Sequence, residues 1–119
     1  MSNPQIPKAI QDDVLTLQSL EENIQALSQQ SRAIDAIIME KNKAIDELSE
    51  MEEDAVVYKI IGNVLIKSEK ATVLDGLKED ITDSEMHKKR MERQLDSFKK
   101  KYEEIKKRVQ EKYDKMRPA

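Results

Sequence analysis

Two long apolar heptad repeats, separated by one short interruption, constrain this fold more than any other feature of the sequence. We call the two positions of each heptad that would face the partner helix the seam positions. In the first repeat, residues 10–48, nine of the twelve seam positions are apolar and no Gly or Pro occurs. In the second, residues 74–116, ten of the thirteen seam positions are apolar. This spacing is typical of helices that pack as a coiled coil. It predicts two helical arms, about residues 7–51 and about residues 72–117, and the first would be ~60–65 Å long.

The two repeats complement each other if the arms run antiparallel. Placing Leu48 opposite Leu74 brings Leu17 opposite Ile105, and every polar seam residue then faces an apolar one. In a parallel homodimer, by contrast, Lys41 would face its own copy and the two charges would repel each other. The sequence therefore predicts a mostly α fold, built on a long antiparallel two-helix coiled coil within one chain.

The interruption between the repeats is the densest block of β-branched residues in the chain. It contains Gly62-Asn63, a two-residue turn signal. We therefore predict a central β-hairpin at about residues 55–68. The predicted cross-strand pairs are Ile61 with Val64, Ile60 with Leu65, Lys59 with Ile66 and Tyr58 with Lys67.

Both faces of the predicted hairpin are largely apolar. One face carries Val56, Tyr58, Ile60 and Leu65, and the other carries Val57, Ile61, Val64 and Ile66. A two-stranded hairpin is only marginally stable alone in water, and its open apolar edges invite pairing with another chain. The hairpin is therefore a candidate assembly surface.

The segments that flank the hairpin carry signals for helix ends. Glu52-Glu53-Asp54 places three acids at the end of the first arm, where they oppose the helix dipole and help to stop the helix. Thr72, with Asp75 three residues later, resembles a capping box at the start of the second arm.

The apolar seam weakens at the far ends of the arms, where Asp13 and Lys112 interrupt it. We expect these tips to splay or fray and to expose apolar residues. Methionine and aliphatic side chains on mobile elements suit permissive, low-specificity contacts. The alternative is that they are ordinary residues of helix ends. The candidate binding residues at the tips are Ile6, Ile10, Val14, Val109, Tyr113 and Met116.

Composition places the chain in a narrow class. A length of 119 residues allows a single domain, residues 1–119. The composition, with 38% charged and only 3% aromatic residues, favours an elongated coiled coil over a compact globule. There is no Cys, so disulfides are excluded. No apolar run approaches the ~20 residues that span a bilayer, and the N-terminus lacks a signal-peptide core. We expect a cytoplasmic protein without a membrane partner.

The charges are unevenly distributed along the chain. Residues 87–117 hold 13 Lys and Arg against 6 Asp and Glu, whereas the remainder holds 8 against 18. A basic segment can bind nucleic acid, and Lys99–Lys101 with Lys106–Arg108 would then form the contact. We favour the simpler interpretation, in which a basic arm lies beside an acidic one, because the segment is heptad-patterned and has few aromatics to stack on bases. No nucleic-acid partner is expected.

The sequence contains no pattern typical of a catalytic, cofactor-binding or metal site. His87 is the only histidine and has no ligand at metal-binding spacing on its helix face. There is no Gly-rich phosphate loop and no arrangement of nucleophile and base. We therefore expect a protein that is not an enzyme and that needs no cofactor.

The central stretch Asp54-Ala55-Val56-Val57-Tyr58-Lys59-Ile60-Ile61-Gly62-Asn63-Val64-Leu65-Ile66-Lys67 closely resembles the hairpin of beta-class prefoldin subunits of the archaeal type. That family's pattern is D-A-x-V-Y-K-x-[VI]-G-x-x-L-[VI]-K. The flanking arms match the family in length and pattern, and a single hairpin fits the beta class, since alpha-class subunits carry two. Asn63 stands where several relatives have Pro.

The resemblance implies an assembly and an activity. Two alpha-class and four beta-class subunits would form a hetero-hexamer, in which the hairpins build intersubunit β-barrels. The tips of the coiled coils would hold unfolded client proteins without ATP and deliver them to a group II chaperonin. Carried over by position, the assembly residues are Val56, Val57, Tyr58, Ile60, Ile61, Gly62, Val64, Leu65 and Ile66, and the client-binding residues are the six tip residues named above.

A second function remains open from the residues alone. The chain could be a structural coiled-coil adaptor, in which the hairpin serves only for dimerisation and the tips bind one specific folded partner.

Overall fold

The computed structural model describes residues 6–116, which form two helices joined by a β-hairpin. Helix α1 spans Lys8–Ser49, strand β1 Val57–Ile61, strand β2 Val64–Ser68 and helix α2 Lys70–Met116. The chain divides into two compact units. We call residues 1–30 with 91–119 the terminal unit, and residues 31–90 the hairpin unit.

The predicted heptad seam is confirmed in each unit. In the terminal unit the most buried apolar side chains are seam residues of both helices, and the same is true of the helical part of the hairpin unit. Residues between the seam positions are mostly exposed. The buried seam residues are Ile10, Leu20, Met91 and Ile105 in the terminal unit and Ile34 and Ile81 in the hairpin unit.

The helices of the hairpin unit run antiparallel, as the seam predicts. Lys41 Nζ lies 3.1 Å from Asp80 Oδ2, and Lys88 Nζ forms an ion pair with Asp35 Oδ1. The partners occur in reverse order along the two helices, which is the signature of an antiparallel pair. Both lysines occupy seam positions, and their long side chains reach a carboxylate beside the seam.

The hairpin has the predicted register. Its cross-strand pairs include Ile61 with Val64 and Ile60 with Leu65, and the ladder continues to Val57 with Ser68. Gly62 has a φ of 60°, and no residue other than glycine has a positive φ in the described part of the chain. A positive φ at the first central residue alone fits a type II′ turn, whose twist matches that of the two strands.

The helix ends differ by a few residues from those predicted. Helix α1 ends at Ser49 rather than about residue 51, and α2 begins at Lys70 rather than about residue 72. The predicted capping box at Thr72 is therefore wrong, because Thr72 already lies inside the first turn. The backbone carbonyl of Glu69 accepts the first helical hydrogen bond, from the Val73 amide at 3.1 Å.

A buried lysine joins the two ends of the helices within the hairpin unit. Lys70 is 7% exposed. Its Nζ donates to the carbonyl oxygens of Met51 at 2.7 Å and Ser49 at 3.5 Å, and lies 3.8 Å from Glu53 Oε1. The first residue of α2 thus caps the C-terminus of α1 with a positive charge, which the dipole of α1 favours.

Candidate functional surfaces

Seven of the sixteen exposed large hydrophobic side chains among residues 6–116 belong to the short hairpin segment. We define the hairpin surface as seven side chains that are all at least 44% exposed. Ile60 and Leu65, which face each other across the strands, are 71% and 65% exposed. Contiguous exposed apolar groups of this kind mark interaction sites. The hairpin surface consists of Val56, Tyr58, Ile60, Ile61, Val64, Leu65 and Ile66.

The two faces of the hairpin are not equivalent, a distinction that the sequence pattern did not make. Val57, at the base of one face, is 7% exposed, and its strand partner Ser68 is half-buried. On the other face Val56 and Tyr58 are both exposed. One face is therefore covered at its base by the rest of the hairpin unit, while the other is open along its length.

The strand edges of the hairpin are also open. Within residues 6–116 the sheet has two strands, so the outer edge of each strand has no neighbouring strand. Backbone donors and acceptors along such an edge can pair with a strand of another chain. Exposed apolar faces and open edges occur together here, a combination that suits assembly through strand addition.

The six predicted tip residues, which we call the terminal apolar group, all lie in the terminal unit but differ in exposure. Ile6, Val14, Tyr113 and Met116 are exposed, and Val109 is half-buried. Ile10, however, is only 5% exposed. In this conformation Ile10 is part of the packed seam and not of the accessible surface.

The predicted splaying of the tips is not seen in the structure. Helix α1 begins at Lys8 and α2 continues to Met116, and the seam is closed as far as Ile10. The reason is that Asp13 does not simply interrupt the seam. Arg108 Nη2 donates to Asp13 Oδ1 at 2.8 Å, and Lys112 Nζ donates to Asp13 Oδ2 at 3.4 Å.

The ionic contacts determine the charge state of Asp13. The hydrogen bond from Arg108 is the main cause that holds the pKa of Asp13 below its ordinary value. Burial of the carboxylate opposes this effect, and the hydrogen bond from Lys112 adds to it. The same contact raises the pKa of Arg108. Asp13 is therefore ionised at neutral pH, and its charge is matched by two cations from the opposite helix.

One exposed apolar residue near the chain end was missed by the sequence analysis. Leu15 is 62% exposed and lies next to Val14 on α1. It occupies the heptad position opposite the seam, so the seam pattern alone gave no reason to name it. An apolar side chain at an outward heptad position is itself a signal, because polar residues normally occupy such positions.

No feature of the described residues indicates a chemical site. Within residues 6–116, no group of three or more His, Cys, Asp or Glu side chains is placed to hold a metal ion. His87 is exposed. Neither α1 nor α2 contains a stretch apolar and long enough to cross a bilayer.

Comparison with known proteins places this chain in a family. A family profile described as "Prefoldin subunit" matches residues 11–115, which include both helices and the hairpin. This chain belongs to the prefoldin family. The predicted resemblance of the central hairpin to prefoldins is thereby confirmed.

The relatives of this prefoldin are beta-class subunits. The prefoldin subunit beta of Sulfolobus acidocaldarius is 31% identical over 113 residues, which cover 95% of this chain and 90% of that protein. The prefoldin subunit beta of Sulfurisphaera tokodaii is 33% identical over 109 residues, covering 89% and 85%. These matches span nearly the whole of each chain, so they support the beta class for the arms and the hairpin together.

The fold of this prefoldin also matches a solved structure. The crystal structure of the prefoldin beta subunit from Thermococcus strain KS-1 aligns with a TM-score of 0.84 and 30% sequence identity. The alignment covers 98% of this chain and all 100% of that chain. The two-helix fold with one hairpin is therefore shared with a beta-class subunit, and the chaperone character of the family applies to this chain.

Proposed function

We propose that this prefoldin chain is a non-enzymatic, ATP-independent holdase subunit. It assembles through its hairpin with alpha-class and other beta-class subunits into a hexamer of two alpha and four beta chains. The assembled protein captures unfolded clients at the terminal apolar group and passes them to a group II chaperonin in the cytoplasm.

The observation that carries the proposal is the exposure of the hairpin surface. Ile60 at 71% and Leu65 at 65% exposure would be unfavourable in a protein that works as a monomer. Burial of a side chain of this size stabilises an assembly by roughly 1.5–3 kcal/mol. A small hairpin with seven such residues can therefore hold subunits together even though it is marginal alone.

The terminal unit has the properties expected of a surface that holds clients loosely. Its exposed apolar residues are separated along the chain, with Ile6 just before α1, Val14 on α1, and Tyr113 near Met116 on α2. They are spread over exposed positions of two chain segments, so each contact with a client would be weak and reversible. Several subunits in one complex would add such contacts through avidity, without any single tight site.

The test compares two sets of substitutions in the full chain assembled with an alpha-class subunit. One variant carries Ile6→Ser, Tyr113→Ser and Met116→Ser in the terminal unit. The matched control carries Met39→Ser and Met86→Ser, which remove apolar side chains that are 73% and 52% exposed in the hairpin unit. Light scattering of a chemically unfolded client, diluted from denaturant, measures the suppression of aggregation.

We expect the terminal variant to lose most of its suppression while the control keeps it, with both complexes of unchanged mass. Deleting about ten residues from each end should have the same effect. If the terminal variant suppresses aggregation as well as the control does, the tip assignment is wrong and the adaptor function becomes the better explanation.

A further inference from the structure

Three charged side chains meet at the point where the apolar seam of the terminal unit ends. Arg108 contacts both carboxylate oxygens of Asp13, with Nη2–Oδ1 at 2.8 Å and Nε–Oδ2 at 3.2 Å. Lys112 Nζ lies 3.4 Å from Oδ2. The Asp13 side chain is 12% exposed, while those of Arg108 and Lys112 are 55% and 40% exposed. A largely buried acid on α1 is thus held by two solvent-accessible cations on α2.

This charged cluster lies where the apolar residues of both helices change from buried to exposed. Ile10, one turn before Asp13, is the first buried residue of α1, and residues 6–9 are exposed. On α2, Val109 is half-buried, whereas Tyr113 and Met116 are exposed. The cluster therefore lies at the boundary between the packed seam and the open end of the unit.

The two helices are held together at Asp13 by ionic contacts, whereas the rest of the seam in the terminal unit is held together by apolar packing. Burial of apolar groups such as Leu20 and Ile105 is not weakened by simple salt. The closure at Asp13 instead depends on the charge of one carboxylate, which is 12% exposed and lies 2.8 Å from Arg108 Nη2. A partly buried pair in direct contact is screened by salt much less than separated surface charges, so removal of the Asp13 charge should open this closure while salt alone should weaken it only modestly.

We propose that Asp13, Arg108 and Lys112 form an ionic latch, which keeps the two helices closed over Ile10 and whose release exposes Ile10 and Val109. The latch concerns the conformation of the chain itself. Its consequence for clients rests on the proposed function, since release would enlarge the apolar surface that a client meets.

Hydrogen exchange of the full chain, measured by mass spectrometry, tests the latch without a client. The windows are residues 8–16 and 106–116, with residues 20–27 as an internal reference. Asp13→Asn removes the charge and keeps the shape. Asp12→Asn is the matched control, because it removes the neighbouring, exposed acid from the same helix turn. Asp13→Leu replaces the acid by an apolar side chain that continues the seam.

The latch predicts a distinct pattern for each protein. At about 0.01 M NaCl, exchange in the two windows should be roughly tenfold faster in Asp13→Asn than in the wild type, the scale of losing a charge-assisted hydrogen bond. At about 1 M NaCl the wild type should exchange only modestly faster, because a partly buried contact pair is screened little. Asp12→Asn should follow the wild type. Asp13→Leu should exchange slowly at both salt concentrations, because apolar packing replaces the ionic contacts.

Exchange in Asp13→Asn equal to that of the Asp12→Asn control would overturn the latch. If Asp13→Asn also loses protection in residues 20–27, the Asp13→Leu variant decides. Exchange in Asp13→Leu as fast as in Asp13→Asn would then overturn the latch, because an apolar side chain at this seam position should restore the closure.

Client capture separates the latch from the proposed function. With the terminal apolar group as the client site, Asp13→Asn should suppress aggregation more strongly than Asp13→Leu at low salt. If hydrogen exchange follows the predicted pattern but the two variants suppress aggregation equally, the latch stands and the assignment of clients to the tips fails.

Discussion

At the residue scale, Lys70 shows how one side chain can stabilise a joint between elements. The dipole of α1 leaves partial negative charge at its C-terminus, and Glu52, Glu53 and Asp54 begin three residues after the helix ends at Ser49. The buried ammonium of Lys70 offsets this negative charge and binds two backbone carbonyls there. Its methylene groups lie inside the hairpin unit, so packing and charge act together.

Replacing Lys70 by Met should therefore destabilise the protein while keeping most of the packing. Losing two hydrogen bonds and a favourable dipole contact should lower the free energy of unfolding by about 1–2 kcal/mol. Lys78→Met, at an exposed position of the same helix, is the control and should change it little. Urea unfolding followed by circular dichroism gives both values, and equal midpoints for the two variants would contradict the capping role.

The sequence predicted which charged residues occupy the seam, but it did not predict their ion-pair partners. Lys41, Lys88 and Asp13 were each expected opposite an apolar residue, and they do occupy the seam. Their ion pairs could not be read from the heptad because the partners lie beside the seam or a turn away, at distances that depend on side-chain rotamers. The latch was consequently taken for a weak point of the coiled coil.

At the element scale, the hairpin is specified by its turn. Gly62 adopts a φ of 60°, which a residue with a Cβ reaches only at a cost, and this conformation fixes which residues face each other across the strands. The register could be predicted because turn type and strand pairing are both local. The start of α2 could not, because Lys70 begins the helix through a contact with the end of α1, which is distant in sequence.

The two glycines of the chain should respond oppositely to substitution by Ala. A Cβ at either position meets no atom within 4 Å, so sterics do not decide the outcome. Gly62→Ala should cost about 1–2 kcal/mol through the positive φ. Gly76, inside α2, has no positive φ, and Gly76→Ala should stabilise by about 0.5–1 kcal/mol through helix propensity.

Urea unfolding of the two glycine variants under identical conditions provides the measurement. A Gly62→Ala variant as stable as the wild type would show that the turn conformation does not limit the hairpin, and a destabilised Gly76→Ala variant would contradict the effect expected from helix propensity.

At the scale of the whole molecule, charged and apolar residues serve different purposes. Charged residues pair between the two helices, whereas exposed apolar residues lie where partner subunits and clients are proposed to bind. The ion pairs of Asp35 with Lys88 and of Asp13 with Arg108 place acids of α1 against bases of the basic segment 87–117, whereas the pair of Lys41 with Asp80, outside that segment, has the reverse polarity. This arrangement supports complementary arms over a nucleic-acid tail as the reason for the uneven charge. The exposed apolar residues, in contrast, are concentrated at the hairpin and near the chain ends, where partner subunits and clients are proposed to bind.

Assembly should depend on which face of the hairpin is buried against partner subunits. Ile60→Asp places a charge on the open face and Val64→Asp places one on the face whose base is covered. Asn63→Asp, in the turn between them, adds the same charge at an exposed polar position and serves as the control. An unpaired buried charge is strongly unfavourable. Each aspartate substitution should therefore prevent formation of the complex with an alpha-class subunit only if the hairpin face that carries it is buried in that complex.

Light scattering coupled to size exclusion, on each variant mixed with an alpha-class subunit, measures the mass of the complex. We expect the control to form a hexamer and Ile60→Asp to remain as smaller species, with Val64→Asp showing whether the second face is buried too. A hexamer from Ile60→Asp would mean that the most exposed apolar side chain of the hairpin lies outside the interface. Assembly would then depend on the open strand edges, whose backbone groups neither substitution removes.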